Sequence, residues 1–267
     1  MAPWVRYPHQ DVEKDQDMLH RAILSALLIT SPLVATAQEQ ANGIEFRFGV
    51  GPALKPGYFG DEDFDPGVGV KFRLERFQFG DISRDRGDRA TGLRFAPSVR
   101  FVGARDADDF DELSGLDDID PTLEVGGGLA FRTPDYEVFA KLRYGAFGHE
   151  AFVAELGSDI LYRPSDQLTF KAGPRILLGD DDYAQTYFGV SATEGAASRF
   201  DAFDAGGGLM SAGAKAEATY AINNDWEVVG TVEYEQLLED AADSPITQSD
   251  DQISASIVLT RRITFGF

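Results

Sequence analysis

The sequence predicts an all-β fold: a transmembrane, antiparallel, up-and-down β-barrel of ten strands, with twelve as the alternative. Three observations predict it. Apolar residues recur at every second position in segment after segment, and the opposite faces of those segments carry charge. An export signal is followed by no apolar run long enough for a membrane helix. A secreted chain that enters a membrane without helices must close on itself, because hydrocarbon offers no partner to a bare backbone group.

Residues 18–37 read as a signal peptide. Leu19-His20-Arg21 is a basic start, Ala22 to Ile29 a short apolar stretch, and Ala35 and Ala37 form an A-x-A cleavage site. That stretch falls short of the roughly 20 residues a spanning helix needs. Cleavage is expected after Ala37, leaving 38–267 as the barrel. Residues 1–17 are polar and acidic and precede the basic start. With Met18 as the true start they are a start-site extension.

Period-two alternation marks the strands. Ile44, Phe46, Phe48 and Val50 form the first apolar face, and Val68, Val70, Phe72 and Leu74 the second. Apolar parity then flips near Glu75-Arg76, ahead of Phe77 and Phe79, so a bulge or extra turn is expected there. Leu93, Phe95, Val99 and Phe101 form the third face, and Leu123, Val125, Leu129 and Phe131 the fourth. Tyr136, Val138, Ala140, Leu142 and Tyr144 stand opposite Glu137, Lys141 and Arg143. Phe152, Ala154, Leu156, Ile160 and Tyr162 stand opposite Glu155, Asp159 and Arg163. Leu168, Phe170, Ala172, Ile176 and Leu178 stand opposite Thr169, Lys171 and Arg175. Met210, Ala212, Ala214, Ala216, Ala218, Tyr220 and Ile222 stand opposite Ser211, Lys215, Glu217 and Thr219. Trp226, Val228, Gly230, Val232 and Tyr234 stand opposite Glu227, Thr231, Glu233 and Glu235. The tenth face is Ile253, Ala255, Ile257, Leu259, Ile263, Phe265 and Phe267. Arg261 interrupts it and must snorkel, face a bulge or lie near an interface, since mid-bilayer Arg costs about 2–4 kcal/mol. Phe265 and the terminal Phe267 look like the sorting signal read by the barrel-insertion machinery.

Charge on the second faces suits a polar lumen in which opposite charges pair across strands. Tyr136, Tyr162, Tyr220 and Trp226 at strand ends suit interfacial girdles. Short turns at 133–135, 164–166 and 223–225 read as periplasmic, and long acidic loops at 53–65, 103–120, 179–205 and 240–250 as extracellular, with both mature termini in the periplasm. Reading 77–83 and 185–193 as further strands gives the twelve-strand alternative.

Composition narrows the function. The chain lacks Cys, which removes disulfides, thiolate metal sites and Cys nucleophiles. A net charge of −21 disfavours nucleic acid. A hydrophobic content of 43% favours a folded structure over acidic disorder. His149, beside Glu150, is the one His after Ala37. It reads as a turn or interface side chain rather than the base of a Ser-His site, and no enzyme activity and no cofactor is expected. Acid clusters at 106–120, 61–65 and 180–182 read either as solvated loops or as sites for divalent ions that bridge lipopolysaccharide. Asp182, Tyr183, Tyr187, Phe188 and Gly189 belong to an aromatic run inside a long loop: an extra strand, a lumen constriction or a partner surface. The Gly126-Gly127-Gly128 and Gly206-Gly207-Gly208 runs lack the Lys and helix of a phosphate loop and read as kinks or close packing.

The run Asp181-Asp182-Tyr183-Ala184-Gln185-Thr186-Tyr187-Phe188-Gly189-Val190-Ser191-Ala192-Thr193 resembles a signature of the MipA/OmpV family of outer-membrane proteins. Pro56 to Gly60, Leu113 to Asp120, Gly148-His149-Glu150 and Asp240 to Ile246 match further family pieces in order, across essentially the whole mature chain. One departure is Arg84 to Arg89, where the family has a Gly/aromatic stretch. The resemblance implies an outer-membrane barrel set among lipid and lipopolysaccharide. It also implies a scaffold for a murein (peptidoglycan) transglycosylase and a penicillin-binding protein, with a porin-like channel or an adhesin as the alternatives.

Overall fold

Alternation of apolar and charged residues is realised as a rolled antiparallel sheet. The computed structural model describes residues 42–79, 82–85 and 91–266. The expected signal peptide with Ala35 and Ala37, the extension 1–17 and Phe267 lie outside them. The strands are β1 Gly43–Pro56, β2 Phe64–Phe79, β3 Ile82–Asp85, β4 Gly92–Phe95, β5 Ser98–Val102, β6 Thr122–Arg132, β7 Tyr136–Ala146, β8 Phe152–Tyr162, β9 Leu168–Gly179, β10 Gly208–Ala221, β11 Trp226–Leu237 and β12 Asp251–Gly266. Their hydrogen-bonded order is β3-β2-β1-β12-β11-β10-β9-β8-β7-β6-β4, with β5 also on β6. β1 reaches the rest of the sheet through β12, in register from Gly43 opposite Gly266 to Leu54 opposite Ala255.

β4 and β5 are one stave in two pieces. Both pair with β6, and Ala96 exchanges backbone bonds with Gly128 between them, at 2.8 and 2.9 Å. The ten expected apolar faces thus each fall on strands, and β3 is a short addition on β2. Of the two further strands in the twelve-strand alternative, 77–83 is strand where described, with 77–79 closing β2 and 82–83 opening β3, whereas 185–193 is corrected: it is no strand but begins inside the helix α1, Asp181–Phe188. No ladder from β2 or β3 to β4 or β5 occurs among the described residues. Rolling is evident from side chains. Lys71 on β2 pairs with Glu217 on β10, and Arg73 on β2 reaches Glu227 on β11 at 2.7 Å. Those strands lie far apart along the path, so they meet only across a common interior.

Exposure is inverted relative to a soluble protein. Val68 (67% exposed), Leu93 (70%) and Ile160 (72%) point outward, whereas Arg47, Glu124, Arg143, Asp159, Arg175 and Glu227 are buried. No helix among the described residues is long and apolar enough to cross a membrane.

Two bulges keep the alternation in phase. In the β1–β2 ladder Phe46 faces Leu74 but Glu45 faces Arg76, so Glu75 is the extra residue. This absorbs the expected parity flip and returns Phe77 to the apolar side, opposite Ile44. In the β9–β10 ladder Leu209 faces Leu178 and Ser211 faces Leu177, so Met210 is extra. Its side chain turns into the interior, 1% exposed, which corrects its assignment to the outer face. Arg261 lies opposite Trp226, the first residue of β11, with its guanidinium 5.5 Å from the indole centroid. It therefore lies level with the start of β11, and Tyr136, Tyr162 and Tyr220 stand exposed at or next to the turn ends of their own strands, where a cation is tolerated.

Up-and-down connectivity gathers short turns at 133–135, 163–167 and 222–225 at one end. Segments 57–63, 103–121, 147–151, 180–207 and 238–250 lie at the other. The first is shorter than the loop expected at 53–65, because β1 and β2 continue into it. Near the turn end Arg47 holds Glu75 at 2.7 Å and Glu227 at 3.2 Å, and donates to the carbonyls of Asn224 and Asp225. Removing one partner of such a buried set strands the others in low dielectric. Arg47→Ala is expected to cost about 3–5 kcal/mol, read as a lowered urea midpoint of the detergent-solubilised protein.

Candidate functional site

The loop end is closed by a packed cap, and the cap is built from local sequence signals. Asp180 begins α1 as its N-cap, accepting from Tyr183 N at 3.0 Å, and its other oxygen accepts from Phe152 N at 2.8 Å, fixing the helix to β8. Tyr183, Ala184, Tyr187 and Phe188 form one buried stripe along α1. The stripe packs on inward Val153, Leu177, Met210 and Leu237, with Ala241 of α3 (Glu239–Asp243) beside it. Between them α2, Ala192–Ala197, opens with a capping box formed by Ser191 and Glu194.

His149 is drawn inward. Phe147 (φ 69°), Gly148 (φ 65°) and Glu150 (φ 44°) take left-handed conformations, so the turn is strained on both sides of it. Its ring packs edge-on against Tyr183 and Tyr187, at 5.2 and 5.7 Å between centroids. Nδ1 accepts from Ala151 N at 3.1 Å, and Nε2 lies 3.4 Å from Glu124 Oε1. A side chain at Gly145 would occupy the space of that ring.

A second apolar cluster joins Tyr58, Leu113, Leu116, Val190 and Ile246. Tyr58 stands edge-on to Phe110 at 5.1 Å, and Phe59 edge-on to Tyr187 at 4.9 Å. Polar ties cross between segments. Ser244 Oγ donates to Phe188 O at 2.6 Å, and Gln248 and Ser249 backbone amides donate to Gly60 O. Arg105 donates to the carbonyls of Tyr187 and Asp117, and Glu194 accepts from Asp117 N at 3.0 Å. Burial pushes the Asp61 carboxyl and the Tyr58 and Tyr187 phenols up. Burial pushes Glu194 up too, but the amides of Asp117 and Ser191 and the Ser191 hydroxyl outweigh it, so its carboxyl stays below the ordinary value.

Below the cap, interior charges pair. Arg143 holds Glu124 at 2.7 Å and Glu155 at 2.6 Å, Arg175 holds Asp159 at 2.7 Å, and Lys215 holds Glu233 at 2.7 Å. A cavity of about 320 Å³ remains between these groups and the cap, with Phe59 and Tyr187 in its wall.

The five sequence segments that carry the family resemblance therefore meet in one place. Asp182 is exposed at the start of α1, Tyr183, Tyr187 and Phe188 form its buried stripe, and Gly189 ends it by donating to Gln185 O. The strand reading of this run is overturned, and its aromatic side chains point into the fold rather than to an outer surface. Phe265 is exposed on β12. Gly126 and Gly128 lie where a side chain would strike the β7 backbone, and Gly208 opens β10. Among the described residues no group of three or more acidic or His side chains is placed to hold a metal. Arg105 was missed from sequence; a cation inside the acidic loop 103–121 was its only signal.

The family model described as MltA-interacting protein MipA matches residues 48–263. The chain belongs to the MipA family. No curated protein matches significantly. Similar solved structures include an outer-membrane channel from Pseudomonas putida F1 (10% identity, TM-score 0.42, covering 88% of this chain and 100% of that one). The toluene transporter TodX of Pseudomonas putida is 11% identical (TM-score 0.32, covering 91% and 93%). Ail, the attachment invasion locus protein of Yersinia pestis, is 13% identical (TM-score 0.26, covering 84% and 100%). At these identities and scores the likeness carries nothing about what this MipA-family chain does. Family membership and the exposed apolar belt together support an outer-membrane β-barrel.

Two outcomes test the cap. Because the folded Glu194 carboxyl is depressed, its contribution is complete above the ordinary carboxylate range and is lost as pH falls through the lowered value. Hydrogen-exchange protection of the Asp117 and Ser191 amides, corrected for intrinsic rates, should fall in that acid window and be low and pH-independent in Glu194→Gln. Phe188→Ala should cost about 3–5 kcal/mol and expose 180–207 to protease before the strands are cut.

Proposed function

We propose that this chain is an integral outer-membrane barrel, exported by a cleaved signal peptide, that scaffolds murein-synthesising and murein-remodelling enzymes instead of serving as an open pore. The observation that carries the reading is the obstructed interior. Five segments pack across the loop end, and ion pairs such as Lys71–Glu217 cross the space below. A barrel of this size leaves an interior that side chains can largely fill. The family description, an MltA-interacting protein, supplies the partner class: a murein transglycosylase, with a penicillin-binding synthase beside it. In this reading the short turns and both mature termini face the periplasm, where murein lies, and the acidic cap faces outward. Cross-linking and mass spectrometry in intact envelopes should recover a transglycosylase or synthase joined to the turn end. Native preparations that yield neither would defeat the scaffold.

The cavity beneath the cap favours a second reading, a narrow gated channel for small solutes. Planar-bilayer recordings separate the two. The scaffold gives a silent bilayer, whereas resolved conductance steps would favour the channel.

A further inference from the structure

The cavity under the cap has an unbalanced wall. Six cationic side chains line it against three carboxylates. Glu233 is held by Lys215, and Glu235 accepts from the Ser211 hydroxyl at 3.0 Å. Even when Glu124 and Asp159, which hold Arg143 and Arg175 from behind, are added, the cations remain in excess.

The excess is concentrated where wall and cap meet. Lys55, at the end of β1, brings its ammonium against Gly103 just past β5, and no carboxylate lies within 4.0 Å of it among the described residues. Arg105 is 5% exposed, and among the described residues its guanidinium makes only the two carbonyl contacts at 3.3 and 3.4 Å and leaves Nε buried with no acceptor. Arg100 reaches one carboxylate, Glu124, at 3.6 Å, and Glu124 is already shared with Arg143. Arg143 keeps Nη2 buried and unbonded. A buried donor without an acceptor is costly, and a native fold that keeps several around one cavity is built to receive an acceptor. Beside these donors stand apolar faces: Arg100 lies 5.8 Å from the Phe59 centroid, and Phe59 packs on Tyr187.

We propose that this cavity binds a small organic anion, a carboxylate or phosphate monoester on a compact apolar body. The acid group is received by Lys55, Arg100 and Arg105, and the body lies against Phe59 and Tyr187. The volume is at the small end for ligand sites and suits a single-ring molecule. Lys55 belongs to the wall and Arg105 to the cap, so the bound anion ties one to the other. The site does not depend on the scaffold reading, since it concerns the interior and not a protein partner.

The test uses the full mature protein in non-ionic detergent at constant chloride, titrated with benzoate, phenyl phosphate and the neutral isostere benzamide. Benzoate or phenyl phosphate should raise the thermal unfolding midpoint saturably and slow proteolysis of 180–207, and benzamide should do neither. Lys55→Gln and Arg105→Gln should each weaken that binding roughly tenfold, the loss of one charge-assisted bond, while Arg163→Gln at the turn end binds as wild type. Retained fast migration in unboiled gels verifies folding; if Arg105→Gln does not fold, Lys55→Gln carries the test. Equal responses to benzoate, phenyl phosphate and benzamide, no response to either anion, or unchanged affinity in the folded variants would overturn the proposal.

Discussion

The structure depends on one constraint: charge placed inside a rolled sheet must be neutralised inside it. The outer face of the staves is apolar but for Arg261, so arginines and glutamates on the inner face are satisfied by one another and by nearby backbone carbonyls. The pairs Arg73–Glu227 and Lys71–Glu217 join strands that are distant in the sheet order, and the Arg143–Glu124–Glu155 group links neighbours. Alternation in sequence thereby becomes curvature in space. A flat sheet with the same residues would leave buried-side charges facing solvent singly, and the cross-interior pairs could not form.

That interior also explains the cap. Segments that differ in length and composition converge on two apolar clusters, one around Tyr183 and Tyr187 and one around Tyr58 and Leu113. The staves are specified by a pattern that many sequences satisfy. The cap is specified by particular side chains, such as the His149 ring seated where Gly145 has none and the Ser244 hydroxyl on Phe188 O. Particular side-chain contacts thus concentrate at the loop end, while plain alternation builds the wall.

Much of the wall was legible in sequence because period-two patterning needs only the alternation itself. The flip at Glu75-Arg76 was readable for the same reason. Met210 was not, because Leu209 and Met210 are both apolar and either satisfies an outward stripe. Arg261 left three options open until the register set it beside Trp226. The helix α1 was hidden by Tyr and Phe, which suit strands, although Asp180 ahead of Asp181-Asp182 is a helix-start signal and buried positions 183, 184, 187 and 188 carry the helical period. The donors of the cavity were invisible, since a cation in sequence carries no mark of whether a carboxylate will reach it.

The placement of β12 between β1 and β11 has a consequence for assembly. The N-terminal hairpin is stitched to the remaining staves, among the described residues, only through β12, the described strand farthest from it along the chain. Until β12 pairs with it, the hairpin exposes one free edge and a wholly greasy flank, the conditions under which chains clump. The wall therefore cannot seal before β12 arrives, and the polypeptide has to be kept extended and escorted across that long interval.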